Sequence, residues 1–229
     1  MESKFFIIKA NKFIHAINNI KKIISLLFIL NVITINLTLK NSKAQFFYNN
    51  GAEISIRQGA YVKIGGSVSN DNYGELENQG IVKIDDSFTN NANTYGNGDY
   101  IIKGNWYNNN IFTSGNSNVI LDGGNQNIGG SLATYFNNLI LQGNGIKQLL
   151  INSYVLGTLS LNDQELATGN FKIFVENPSP SSITRTTGFV SSTGQGMLSR
   201  KTLSNSIYLF PVGSSSGTLR YRPVEITPA

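Results

Sequence analysis

From Tyr61 onward the chain alternates apolar and polar residues in short runs, and the runs recur. YVKIGGSVSN starts at Tyr61, IVKIDDSFTN at Ile81, YIIKGNWYN at Tyr100 and NVILDGGNQNI at Asn118. The apolar residues near the ends of the strand-like parts, Ile64, Ile84, Ile102 and Leu121, are spaced by 20, 18 and 19. Four positions after the first three stand Val68, Phe88 and Trp106, and two positions later Asn70, Asn90 and Asn108. Alternation with a period of two puts successive side chains on opposite faces of a strand. A nearly constant interval makes each repeat one structural unit that buries its apolar face only against its neighbours.

Between the runs lie Asn72-Tyr73-Gly74, Asn78-Gln79-Gly80 and Gly96-Asn97-Gly98. Gly and Asn accept positive φ and so make tight corners. The pattern predicts an all-β fold, a parallel β-solenoid in which each coil takes one such interval. Ile64, Ile84, Ile102 and Leu121 would form one interior column and Val68, Phe88 and Trp106 another, with asparagines laddered at a corner. The period loosens after Gly130, but FNNLILQGNG, YVLGTLSLND and FKIFVEN each offer a further short strand. Six or seven coils over residues 51 to 177 would give a rod of about 30 Å. An antiparallel sandwich also uses short, regularly spaced strands, but has no need of residue-type columns.

Three boundaries follow. Residues 45–177 are expected to form the repeat domain, 178–187, with Pro178-Ser179-Pro180, a linker, and 188–229 a β-hairpin or the start of a second β unit. SIYLFPVG and LRYRPVEI are its two strand-like runs. Residues 45–56 and the segment after Asn177 are the natural caps for the two ends of the solenoid, where strand edges would otherwise be exposed. Residues 1–44 read as a signal peptide: a basic segment with Lys21-Lys22, an apolar core from Ile23 to Ile35, and Ser42 and Ala44 at the small-residue positions of a cleavage site before Gln45. An uncleaved anchor is the rival reading, although Asn31, Thr34, Asn36 and Thr38 interrupt the apolar run.

Charge sharpens this division. The chain carries 18 Lys and Arg against 13 Asp and Glu, yet seven lysines and one glutamate precede Gln45. The remainder holds 11 basic and 12 acidic residues. The basicity therefore belongs to the leader, which argues against nucleic acid as a partner and confines membrane contact to that leader. There is no cysteine, and His15, in the leader, is the single histidine. Thiol and imidazole chemistry are excluded from the rest, and no cofactor is expected. Asp85 and Asp86 are weak calcium candidates, since adjacent carboxylates on a strand point to opposite faces and such sites gather several oxygens. Tyr95, Tyr100 and Tyr107 lie close enough in sequence to suggest a ring platform for a glycan or a surface protein.

GAYVKIGGSVSNDNYGELENQGIVKIDDSFTNN and NWYNNNIFTSGNSNVILDGGNQNIGG resemble the head regions of large surface and secreted proteins of Bacteroidota, and YLFPVGSSSGTLRYRPVEI is similar to a segment that recurs in them. The resemblance implies export by a signal peptide and delivery to the surface by type IX secretion. That route uses a C-terminal sorting domain, which this sequence lacks, so the chain is expected to be part of something longer. The resulting expectation is an exported, cell-surface or extracellular repeat protein, not an enzyme, serving as scaffold or adhesin and meeting the export machinery in transit. The alternative is a carbohydrate-binding or polysaccharide-degrading β-helix, which would need Tyr95, Tyr107 and an acid such as Asp99 to converge in a cleft.

Overall fold

The computed structural model describes residues 18–25 and 46–229. Residues 18–25 are helical. Residues 46–229 belong to one compact unit, a continuous stack of three-strand coils.

Each coil lays down a strand on a first, a second and a third face in turn. The first coil uses Phe47–Asn50, Glu53–Ile56 and Tyr61–Ile64, the second Val68–Asp71, Glu75–Asn78 and Ile81–Ile84, and the third Phe88–Asn90, Asn93–Tyr95 and Asp99–Ile102. The order continues to the eighth coil, whose first two strands are Phe189–Ser191 and Met197–Arg200. Every coil-to-coil pairing is parallel. The first face is a single ten-stranded sheet and the third a seven-stranded one, whereas the second is divided into two four-stranded sheets, one for coils one to four and one for coils five to eight. The advance per coil on the first face is shortest where Phe88 pairs with Trp106 and longest where Glu165 pairs with Phe189, so coil length is less constant than the early repeats suggest.

The predicted columns are the core. Val68, Phe88, Trp106 and Ile128 are in register on the first face, and Ile64, Ile84, Ile102, Leu121 and Leu141 on the third. From Ile84 and Phe88 onward these positions are fully buried, each such side chain contributing about 1.5–3 kcal/mol by leaving water. Alternation places the intervening residues outside. Trp106 sits where the second face divides, packed against Phe88 at 4.8 Å, Phe112 at 4.9 Å and Phe136 at 5.5 Å between ring centroids. Its indole N–H donates to Thr134 Oγ1 at 3.0 Å, which satisfies the one polar atom of this buried ring.

The asparagine column is also real. Asn49 Nδ2 donates to Asn70 Oδ1 at 2.8 Å and Asn90 Nδ2 to Asn108 Oδ1 at 2.9 Å. Thr94 joins the two pairs, donating to Asn90 Oδ1 at 2.7 Å and accepting from Asn70 Nδ2 at 3.2 Å. Gly130 follows Asn108 in this corner. Its φ is +122°, and a Cβ there would run into the Asn108 carbonyl, so glycine is required by both conformation and approach.

Two expected boundaries are corrected. Residues 178–187 are not a linker, because Ser179 caps a short 3₁₀ turn at Pro180–Ser182 and Ile183–Thr184 then rejoins the third face against Leu159 and Ser160. The turn is pinned from within: the Arg200 guanidinium donates to Ser179 O at 2.8 Å, Pro180 O at 3.1 Å and Ser182 Oγ at 3.0 Å, and the Tyr208 hydroxyl to Pro178 O at 2.9 Å. Residues 188–229 are not a second unit, since Phe189–Ser191, Met197–Arg200 and Val212–Ser214 extend the same parallel sheets. The expected hairpin does form. Tyr208–Phe210 and Val212–Ser214 pair antiparallel with Val224–Ile226 and Arg220–Tyr221, reversing the direction of pairing at that end of the stack. Residues 45–56 supply no comparable cap, because Phe47–Asn50 and Glu53–Ile56 are themselves the first strands of the first coil. An apolar hollow of about 360 Å³ lined by Ile54, Ile56, Val62, Ile64 and Val68 lies in these opening coils.

Candidate functional site

The side-surface residues expected to act are held on three different sheets. Tyr95 is on the second face, Tyr107 on the first and Asp99 on the third, so they do not converge in a cleft. Tyr95 is registered with Glu77, and Glu53 with Glu75, in an outward acidic group. Partial burial and then the charges of Glu75, Glu77 and Glu53 raise the Tyr95 phenol above its ordinary value. Glu77 is held below the usual carboxylate range by hydrogen bonds from Gln79 and Ser55. Asp99 is engaged in a coil-to-coil bond, accepting from Asn118 Nδ2 at 2.7 Å.

Tyr100 is no ligand platform. It lies two residues before Ile102 on the same strand and therefore shares its inward face, in register with Val82 and Val119. Only 1% of it is exposed, and burial pushes its phenol far above the normal tyrosine range. Tyr107 does point outward. Its ring lies over Gly129 of the next coil, where an added Cβ would stand 3.3 Å from ring carbons, so the ring covers bare backbone and is half-buried by doing so.

Asp85 and Asp86 do not gather a cation. Asp85 pairs with Lys63 at 3.2 Å and Lys103 at 3.6 Å. Desolvation works against its ionisation, but the two ammonium groups outweigh this and hold the carboxyl below the usual range. Asp86 points elsewhere, accepting from Ser67 Oγ at 2.7 Å and Ser87 Oγ at 3.2 Å. Among the described residues no cluster of three or more His, Cys, Asp or Glu side chains could hold a metal ion.

The later coils bring together side chains outside the expected set. On the second face Tyr135, Tyr154 and Phe174 are in register and stacked nearly parallel, with centroids 4.4 and 4.7 Å apart. Their spacing along the chain repeats the coil period and was the available signal. Lys147 is wholly buried on the first face, in an interior column between Gln126 and Leu166. Its ammonium donates into a cage of four oxygens, Gly123 O at 2.9 Å, Gly124 O at 2.8 Å, Gln126 Oε1 at 2.8 Å and Asn144 O at 3.0 Å. Burial pulls its pKa down to about 8, and the Asp122 carboxylate opposes that shift. A lysine between apolar runs has no sequence signature that separates a caged ammonium from a solvated one.

On the outside of the same sheet a trough of about 300 Å³ runs along the later coils. Asn127, Gln148, Ala167 and Ser191 occupy its floor, one from each successive coil. Glu165 stands on one side, its carboxylate accepting from the Ser191 hydroxyl, and Ser214 to Ser216 contribute at the hairpin end. The trough exists because the outward column that begins with Asn127 and Gln148 falls to Ala167, Ser191 and Gly213, which carry little or no side chain.

Ala44 and Gln45, the expected cleavage pair, lie outside the described residues. Among those that are described, no helix is long and apolar enough to cross a membrane. No family model matches the chain, and no curated protein or solved structure matches it.

Proposed function

We propose that this chain is a non-enzymatic scaffold segment, exported and presented at the cell surface or outside the cell, where it acts as a stalk or adhesive. The observation that carries this reading is the continuity of the stack. Nine parallel strands on the first face share one interior with no break between residues 47 and 214. At the ~4.8 Å strand spacing, nine strands span roughly 40 Å along the rod. Such an object resists bending through its backbone ladders and offers long flanks for many weak contacts, which is how avidity arises without a single strong site. Export rests on the leader pattern before Gln45, and a surface destination on the resemblance to Bacteroidota head regions. Export machinery is then a transient partner, and an extracellular glycan or surface protein a lasting one.

Mass spectrometry of membrane fractions and medium from the producing cells tests this. An N-terminus at Gln45 in surface or medium fractions is expected. An intact Met1 retained in the inner membrane would overturn the surface reading. The degradative form of the carbohydrate alternative loses its motivating arrangement, because Tyr95, Tyr107 and Asp99 stand on separate sheets.

A further inference from the structure

We propose that the trough on the first face is a binding site for a neutral, polyhydroxylated chain, an uncharged oligosaccharide laid parallel to the rod axis. The chemistry of the lining selects this class. Asn127 and Gln148 line the trough, and among the described residues neither side-chain amide has a hydrogen-bond partner. This contrasts with Asn70, Asn90 and Asn108 on the same sheet, whose amides are consumed by one another and by backbone carbonyls. Each free amide offers both a donor and an acceptor, and Thr193, Ser215 and Ser216 add hydroxyls. A ligand that presents paired donors and acceptors at each step satisfies such a surface, and sugar hydroxyls do so.

Other ligand classes fit less well. No lysine or arginine lines the trough, so an acidic polysaccharide or phosphate finds no counter-charge. Glu165 is its single carboxylate and is engaged by Ser191, which is too few oxygens of the right kind for a calcium ion. One carboxylate also falls short of the pair that glycoside hydrolysis requires, so the site binds without turnover. An apolar ligand would bury the unpaired amides at a cost. The geometry is likewise linear: the floor residues come from consecutive coils, and from Asn127 to Ser214 the trough covers four coil steps, about 19 Å.

This site lies beyond the scaffold reading and would give the rod its ligand. The test uses the full chain, titrated with cellohexaose, mannohexaose and xylohexaose, with hexagalacturonate as the acidic control and a ten-residue Gly/Ser peptide as the polypeptide control. Calorimetry reads affinity, and circular dichroism of the same samples reads the rod. At least one neutral hexasaccharide is expected to bind, with affinity reduced about fivefold or more in Gln148→Ala and at least about tenfold in Ala167→Phe, which fills the floor. Gln148→Ala keeps the test decisive if the larger substitution disturbs packing. Failure of every neutral hexasaccharide to bind, undiminished binding in both variants, or binding of hexagalacturonate or the peptide alone would overturn the proposal. An intact β spectrum in those failures would leave the scaffold reading standing, so the two fail separately.

Discussion

Coils one to four and coils five to eight follow the same path and are held together differently. In the early coils the corner after the first face carries Asn49, Asn70, Asn90 and Asn108, buried and bonded to each other or through Thr94. In the later coils the asparagine column passes to Gly130, and a separate interior column four residues earlier on the sheet runs Gln126, Lys147, Leu166 and Val190, with one caged ammonium and then pure hydrocarbon. The outer second face changes with it, from Glu53, Glu75 and Glu77 to the stacked rings of Tyr135, Tyr154 and Phe174. The lesson is that the coil path tolerates either solution. A buried amide is acceptable where every coil repeats it, because each neighbour supplies the missing partner. A buried polar group that no neighbouring coil repeats must be bonded on its own, as the Lys147 ammonium is by four oxygens.

If Trp106 is what couples the halves, its loss should be the most damaging single change. Trp106→Ala removes contacts to Phe88, Phe112 and Phe136 and leaves Thr134 unpaired, and should cost about 3–5 kcal/mol in urea denaturation. A transition that separates into two would show the halves melting independently, as nearest-neighbour stacks can. Lys147→Met should come next, at about 2–4 kcal/mol, because four oxygens lose their donor in a dry interior. Amide exchange should report the damage in coils five and six and spare Asn70 and Asn90; equal loss in both halves would erase the distinction. Asn90→Ala, which interrupts the ladder between Thr94 and Asn108, should cost about 1–3 kcal/mol with the opposite pattern of protection.

The same lysine gives a pH signature confined to the later coils. Its folded pKa of about 8 lies below the unfolded value of 10.5, so between those pH values the unfolded chain holds a proton that the folded chain has released. Stability should therefore rise as pH increases from 8 towards 10 and be flat below 8, relative to Lys147→Met, as read by denaturation midpoints. A falling difference would mean the oxygen cage holds the proton more strongly than water does. Tyr100→Phe should produce the smallest change, within about 0.5 kcal/mol of zero or slightly stabilising, since the buried hydroxyl lacks a hydrogen-bond partner. A loss above about 1 kcal/mol would mean that its interaction with Asn78 matters.

The legible features were those in which a local period and the long-range contact coincide. Ile64, Ile84, Ile102 and Leu121 touch because stacking repeats the coil interval, so a spacing along the chain is also a neighbour relation in space. The closing hairpin was legible for a similar reason, two strand-like runs flanking a Ser-Ser-Ser-Gly turn. Tyr100 was misplaced by grouping rings by proximity in sequence when strand parity, already visible at Ile102, sends it inward. The linker assignment failed because Pro178-Ser179-Pro180 has loop composition, and only the buried Arg200 and Tyr208, a full coil or more further along the chain, pin it as a corner.

Sequence alone thus determined the repeat, the Ile64 and Val68 interior columns and the asparagine ladder beside them, since these depend on alternation and spacing within one coil. The tertiary structure decided the rest: the division of the second face at Trp106, the cage around Lys147, and the trough from Asn127 to Ser214. Each depends on which side chains successive coils bring into register, and the advance per coil that sets this is not constant, being least from Phe88 to Trp106 and greatest from Glu165 to Phe189. A small variation in that advance changes which side chains become neighbours across coils without disturbing the local pattern, so it is invisible until the stack is assembled.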